Sequence, residues 1–319
     1  MDFNFIATAV LRATALLALG LLAIRWLPAS QPQWRRAVAL FCLAASLVLP
    51  FVSLPATAPG LMLPVSHASS GGFSVSASGN FLALFWALGI VVCSIRLARR
   101  VIALRRWIGE CETVDISRPH LPLRVIASPG LSAPCVAGFM KPVLIVPAGA
   151  REWNVETWRC VLAHEMQHCR QGDLLLGWIS HLALILYWWH PFAGWLEREL
   201  GQECETCCDH AVLQQGVNAA DYVRELLRFS TDGHAALPVA LSMSGKQSSS
   251  LRLRIERMLG APKAQMRRWR IFVIMAVILI GVTGTVWLGF TRPAVSITSD
   301  QRSEAELRLS ANPFPADAR

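Results

Sequence analysis

The chain is short of lysine, tyrosine and charge. Only three lysines (Lys141, Lys246 and Lys263) and two tyrosines occur in 319 residues, 16% of the chain is charged, and 54% is hydrophobic. This composition, with a mean hydropathy of +0.42, excludes an ordinary soluble globular protein and reads as a membrane protein. No lysine stands three residues after a serine, so a serine nucleophile in Ser-x-x-Lys spacing is excluded. The segment Pro55–Asn80 has no Lys, Arg, Asp or Glu, and no cysteine. Of nine cysteines, Cys42 and Cys93 lie in apolar runs and the other seven between Cys111 and Cys208, which fits a reducing compartment and excludes a disulfide scaffold. The net charge of +9 resides largely in arginines flanking apolar runs, so direct nucleic-acid binding is not expected.

Four apolar runs, Phe3–Leu27, Ala37–Leu54, Phe81–Leu97 and Ile271–Phe290, are near the length that crosses a bilayer. The first lacks a small-residue cleavage site and carries Arg12, so a retained helix is expected in place of a signal peptide. Arg25, Arg35 and Arg36 follow the first run. Arg96, Arg99, Arg100, Arg105 and Arg106 follow the third, and Lys263, Arg267, Arg268 and Arg270 precede the fourth. By the positive-inside rule these flanks are cytoplasmic, with the N-terminus and Pro55–Asn80 outside. The expected fold is mainly α and polytopic, in a bacterial inner membrane. A three-helix membrane region spans residues 1–104, a cytoplasmic α+β metallopeptidase domain 105–270, a fourth membrane helix 271–290 and a short external tail 291–319.

Within the loop, Leu123–Ser128 and Pro142–Val146 are short apolar runs that predict a β-hairpin or a pair of edge strands. Trp158–Cys169 predicts a helix, with Asp173 at the N-cap of the next. Leu174–Leu196 is nearly all apolar. A single crossing would put the basic flank before the fourth run on the wrong side, so a helical hairpin broken at Trp188-Trp189-His190-Pro191 is expected, buried in the domain or dipping into the inner interface. His181 within it is expected to be a buried, hydrogen-bonded histidine. The tryptophans here, and Trp26, Trp34 and Trp107, are expected to anchor at headgroup level. Ser248–Leu259 predicts a basic amphipathic helix.

The chemistry is carried by His164-Glu165-Met166-Gln167-His168. On a helix, histidines four apart share one face and can grip one zinc ion, while Glu165 takes the proton of an attacking water. A third ligand is needed, and Gly201–His210 offers Glu205, with Asp209 four residues on to orient a ligating imidazole. The set is then of gluzincin type. A competing soft-ligand set is Cys204, Cys207, Cys208 and His210, although a second paired-cysteine half is missing. An extended substrate would pair with a strand edge near Val136 or Val143–Val146. Glu203 is expected to be a solvated helix-face charge.

HEMQHCRQGD, the apolar stretch ending in YWWHP, ETCCD, SPGLSAPCVAGFMKPVLIVP and RIERML occur in an order that resembles the BlaR/MecR-type antirepressor membrane metallopeptidases. The resemblance covers about residues 1–290. It implies one zinc ion on His164, His168 and Glu205, a catalytic Glu165, and support from Asp173 and Asp209. It also implies a cytoplasmic protein substrate, typically a dimeric BlaI/MecI-type transcriptional repressor, often with self-cleavage. Sensor members carry a penicillin-binding domain after the last span; only Thr291–Arg319 follows it here, so β-lactam acylation is not expected and the signal is expected through the external Pro55–Asn80 loop, the spans or a separate sensor protein docking on them, with self-association as another partnership. The alternatives are a catalytically silent transducer, or a housekeeping or CAAX-like membrane protease.

Overall fold

The computed structural model describes residues 3–49, 76–113, 123–138, 141–231 and 247–260. Helix α1 (Phe3–Trp26) turns at residues 27–31 into α2 (Pro32–Val48), which begins on a proline where a missing N–H costs no helical bond. Ala9–Trp26 is long and apolar enough to cross a membrane, and only 33% of it is buried by the rest of the protein. It is the one stretch of the described residues that meets this test. The second expected span corresponds to α2, a 17-residue helix; the fourth lies outside the described residues. Helix α3 (Ser76–Glu110) carries the third and runs unbroken for 35 residues, through the arginine cluster and into the domain. Its Phe81, Leu84, Leu88 and Ile95, spaced along one face, are all more than half exposed.

The strands are β1 (Glu112–Thr113), β2 (Arg124–Ser128), β3 (Cys135–Ala137) and β4 (Val143–Pro147), in sheet order β1-β2-β4-β3. The expected hairpin between the two apolar runs is not formed: β2 and β4 run parallel, with Ile126 opposite Ile145, and they are the two central strands. The connection between them is long enough to cross over. β4, buried along VLIV, has the continuous apolar pattern of a strand covered on both faces. Alternation splits the sheet's side chains. Ile126, Ala137, Val143 and Ile145 pack on Leu104 and Trp107 of α3, while Val125, Leu144 and Val146 pack on Trp158 beyond the 3₁₀ turn Ala148–Glu152. Trp107, expected at the interface, is half-buried against the cluster beneath the sheet.

Helix α4 (Val155–Arg170) is capped by Asn154, whose side chain accepts from the Thr157 N–H at 2.8 Å. It passes to α5 (Asp173–Leu186) through Gly172 at φ 70°, a left-handed conformation that favours glycine. Gly172, not Asp173, is the N-cap. The chain breaks at Tyr187–His190 and continues as α6 (Pro191–Gln214), so the expected hairpin is present, with its second arm extended to Gln214. This hairpin packs on α1 and α2 in one core that includes Leu16, Leu43, Ala183 and Leu196. Trp188 packs edge-on against Phe85 of α3 at 5.4 Å between centroids, and a Cβ on Gly89 would strike it. His181 is half-buried, with Nδ1 2.6 Å from the Gly177 carbonyl. Two more helices, α7 (Ala219–Thr231) and α8 (Gln247–Leu259), close over α4 and α6 through Tyr222, Val212, Cys160 and Met258.

Candidate metal centre

Helices α4 and α6 cross so that three sequence-selected side chains meet. His164 Nε2 lies 3.3 Å from His168 Nε2 and 3.5 Å from Glu205 Oε2, and His168 Nε2 lies 3.7 Å from Glu205 Oε1. Tetrahedral zinc with bonds of about 2.0–2.1 Å places its ligand atoms about 3.3–3.4 Å apart. The donor set fits such an ion.

Hydrogen bonds behind the rings fix their tautomers. The Tyr222 hydroxyl donates to Asp209 Oδ1 at 2.7 Å, so its oxygen accepts from His164 Nδ1–H at 2.8 Å. Asp173 Oδ2 accepts from His168 Nδ1–H, also at 2.8 Å. Both Nε2 lone pairs are therefore left facing each other and Glu205, an arrangement that repels unless a cation or proton lies between them. Asp209 reaches His164 chiefly through Tyr222.

Arginines balance the buried carboxylates. Arg254 of α8 bonds Asp209 with Nε and Nη2, each at 2.7 Å, and places Nη1 2.9 Å from Glu205. Arg36 of α2 pairs with Asp173 at 2.8 Å. Glu203, expected in solvent, is 0% exposed and held by Arg35 at 2.7 Å and Arg257 at 3.2 Å. The reason is its position on α6, which is covered by α2 on one side and α8 on another. The basic helix α8 accordingly turns Arg254 and Arg257 inward onto the acidic face of α6.

Burial alone would raise the Glu205 carboxyl, but Arg254 and the two histidines hold it well below the usual carboxylate range. Burial pushes the Tyr222 hydroxyl up, as does Asp209. Burial also drives the Cys204 and Cys208 thiols far up, with Asp173 adding to it, and Cys207 to about 11. This opposes thiolate ligation. Cys204, Cys207, Cys208 and His210 do not converge; among the described residues the other clustered set is His168, Asp173 and Cys208. Glu165 is buried next to His164, makes no hydrogen bond among the described residues, and lies near enough to β3 for its charge to raise the Cys135 thiol, after burial itself.

Sequence reasoning missed Tyr222, Arg254 and Arg36. Tyr222 carries the strongest available signal, being one of two tyrosines in the chain and lying on a helix opened by Asn218, whose side chain caps the Ala220 N–H at 2.8 Å.

A helix bearing paired histidines and a neighbouring carboxylate, crossed by a second helix that offers a carboxylate ligand, is the framework of a metallopeptidase. The chain belongs to one family of them: residues 65–258, more than half its length, match the family described as BlaR1 peptidase M56. It is also similar to the regulatory protein BlaR1 of Bacillus licheniformis, 33% identical over 97 residues, which is 30% of this chain and 16% of that protein. The resemblance read from HEMQHCRQGD and its companion motifs therefore holds at family level, and with it a metal, typically zinc.

Proposed function

We propose that this chain is an integral membrane zinc metalloendopeptidase that cleaves a cytoplasmic protein in signal transduction, its substrate being a BlaI/MecI-type transcriptional repressor and, in addition, itself. The observation that carries this reading is the convergence of both histidine Nε2 atoms on Glu205 at ligand spacing, one helical position from Glu165. His164, His168 and Glu205 hold the metal, and zinc when bound supplies Lewis acidity that polarises a scissile carbonyl. Glu165 takes the proton of the attacking water and returns it to the leaving amine. Asp173 and the Asp209–Tyr222 pair hold the imidazoles in the ligating tautomer. β4 has both edges paired, so the edge of β3 that is unpaired among the described residues is where an extended substrate would add as a further strand.

Membrane residence is supported by the exposed apolar faces of α1 and α3, which are costly in water and favourable in lipid. In this arrangement residues 1–104 carry three membrane helices, 105–270 the cytoplasmic peptidase, 271–290 a fourth helix and 291–319 an external tail, with the α5–α6 hairpin returning to pack on α1 and α2.

The test is to compare cells expressing wild type and Glu165→Ala. The expected result is that a cytoplasmic repressor accumulates uncut in the variant and is cleaved by the purified wild type. Accumulation of membrane proteins alone would favour a housekeeping protease; no cleavage of any protein would favour a silent transducer.

A further inference from the structure

Arg35 and Arg36 are neighbours near the N-terminus of α2, yet they tie the α1–α2 hairpin to different parts of the site. Arg35 bonds the carbonyls of Ile24 and Leu27 and the carboxylates of Glu199 and Glu203. Arg36 reaches the α4–α5 turn: its Nη2 donates to the Gln171 carbonyl at 2.6 Å and pairs with Asp173 Oδ1 at 2.8 Å, while Nη1 donates to Gln171 Oε1. The other Asp173 oxygen holds His168 Nδ1 at 2.8 Å. Asp173 is buried and Arg36 mostly so, with side chains 6% and 15% exposed, so little water is available to replace either partner.

We propose that Arg36 is a positioning residue for His168, and that Arg36–Asp173–His168 is the path by which movement of the α1–α2 hairpin reaches the metal site. The inference rests on His168 being a ligand. Asp173 Oδ2 accepts from His168 and, at 3.6 Å, from Cys208 Sγ, whereas Oδ1 has no hydrogen-bond donor among the described residues and is held by the charge of Arg36 at 2.8 Å, so Arg36 steadies the side of the carboxylate turned away from the ring. Arg36 also satisfies a carbonyl at the C-terminal end of α4, beside the left-handed turn at Gly172. Bonds of this length are broken by a displacement on the order of 1 Å, so an axial shift of the hairpin releases Asp173 and with it the ring of His168.

The test uses the full chain in nanodiscs, with zinc affinity read by chelator competition in wild type, Arg36→Met, Asp173→Asn and the double variant, and folding checked by thermal unfolding without metal. Each single change is expected to lower affinity by about 10-fold or more. The double variant should bind about as weakly as Asp173→Asn alone, because Arg36 acts through Asp173. Arg36→Lys, which keeps the charge and loses the fork, should fall between wild type and Arg36→Met, and serves where the methionine variant does not fold. By linkage, zinc should slow amide exchange in the turn at residues 27–31 of wild type and not in Asp173→Asn. Wild-type affinity in both Arg36 variants, effects that add in full, or an unchanged turn on zinc addition would overturn the path. Failure of the wild type to bind zinc would instead overturn the ligand assignment and the path with it.

Discussion

With His168 as the proposed ligand, a proton and a metal compete for one lone pair. Burial of the ring opposes its protonation, but the hydrogen bond to Asp173 and the charges of Glu205, Glu165 and Asp173 outweigh it and raise the pKa from 6.5 to about 9. A metal needs Nε2 unprotonated, so below about pH 9 binding must expel that proton. Zinc affinity is therefore expected to rise between pH 6.5 and 9, by up to about tenfold per unit, and to level off above. Chelator competition across that range checks it, and a flat profile counts against the proposed ligand. His164, Glu165 and His168 were legible because a four-residue step on a helix fixes their common face without knowledge of the rest of the fold. Glu205 and Asp209 followed from the same step on α6. Tyr222, 58 residues from His164, and Arg254, 45 from Asp209, become neighbours only through tertiary packing, which no local period encodes.

The same limit appears among the elements. Helices α1, α4 and the α5–α6 hairpin follow from apolar length, capping and the Trp-Trp-His-Pro break. The pairing of β2 with β4 did not, since two short apolar runs carry no label for parallel or antiparallel. Nor did the inward turn of α8: its arginines match a solvated helix equally well, and only the buried acids of α6 decide between the two. Glu203 makes this measurable. Replacing it with alanine leaves Arg35 and Arg257 facing each other in a buried site, and breaking a buried ion pair costs about 3–5 kcal/mol. Glu203→Ala should therefore lower the thermal midpoint of the purified protein well below that of wild type. An unchanged midpoint would mean that α2, α6 and α8 are not held together by this cluster.

For the whole molecule, composition and apolar runs foretold a mostly helical membrane protein and the HEMQH motif a metallopeptidase, and one crossing-length helix and the family match agree with that outline. The orientation proposed for it rests on arginine placement. A reporter active only outside the cytoplasm should work when fused after Gly72 and be silent when inserted within residues 233–245; activity at the second site would put the peptidase on the other side of the membrane. Every functional step proposed depends on the metal centre, and its most direct test is the metal content of the purified full chain. Wild type and Glu165→Ala should each carry one zinc per chain, because Glu165 is proposed as a base and not a ligand, whereas Glu205→Ala should lose it. Absence of zinc from wild type, or equal zinc in the Glu165 and Glu205 variants, would contradict the account.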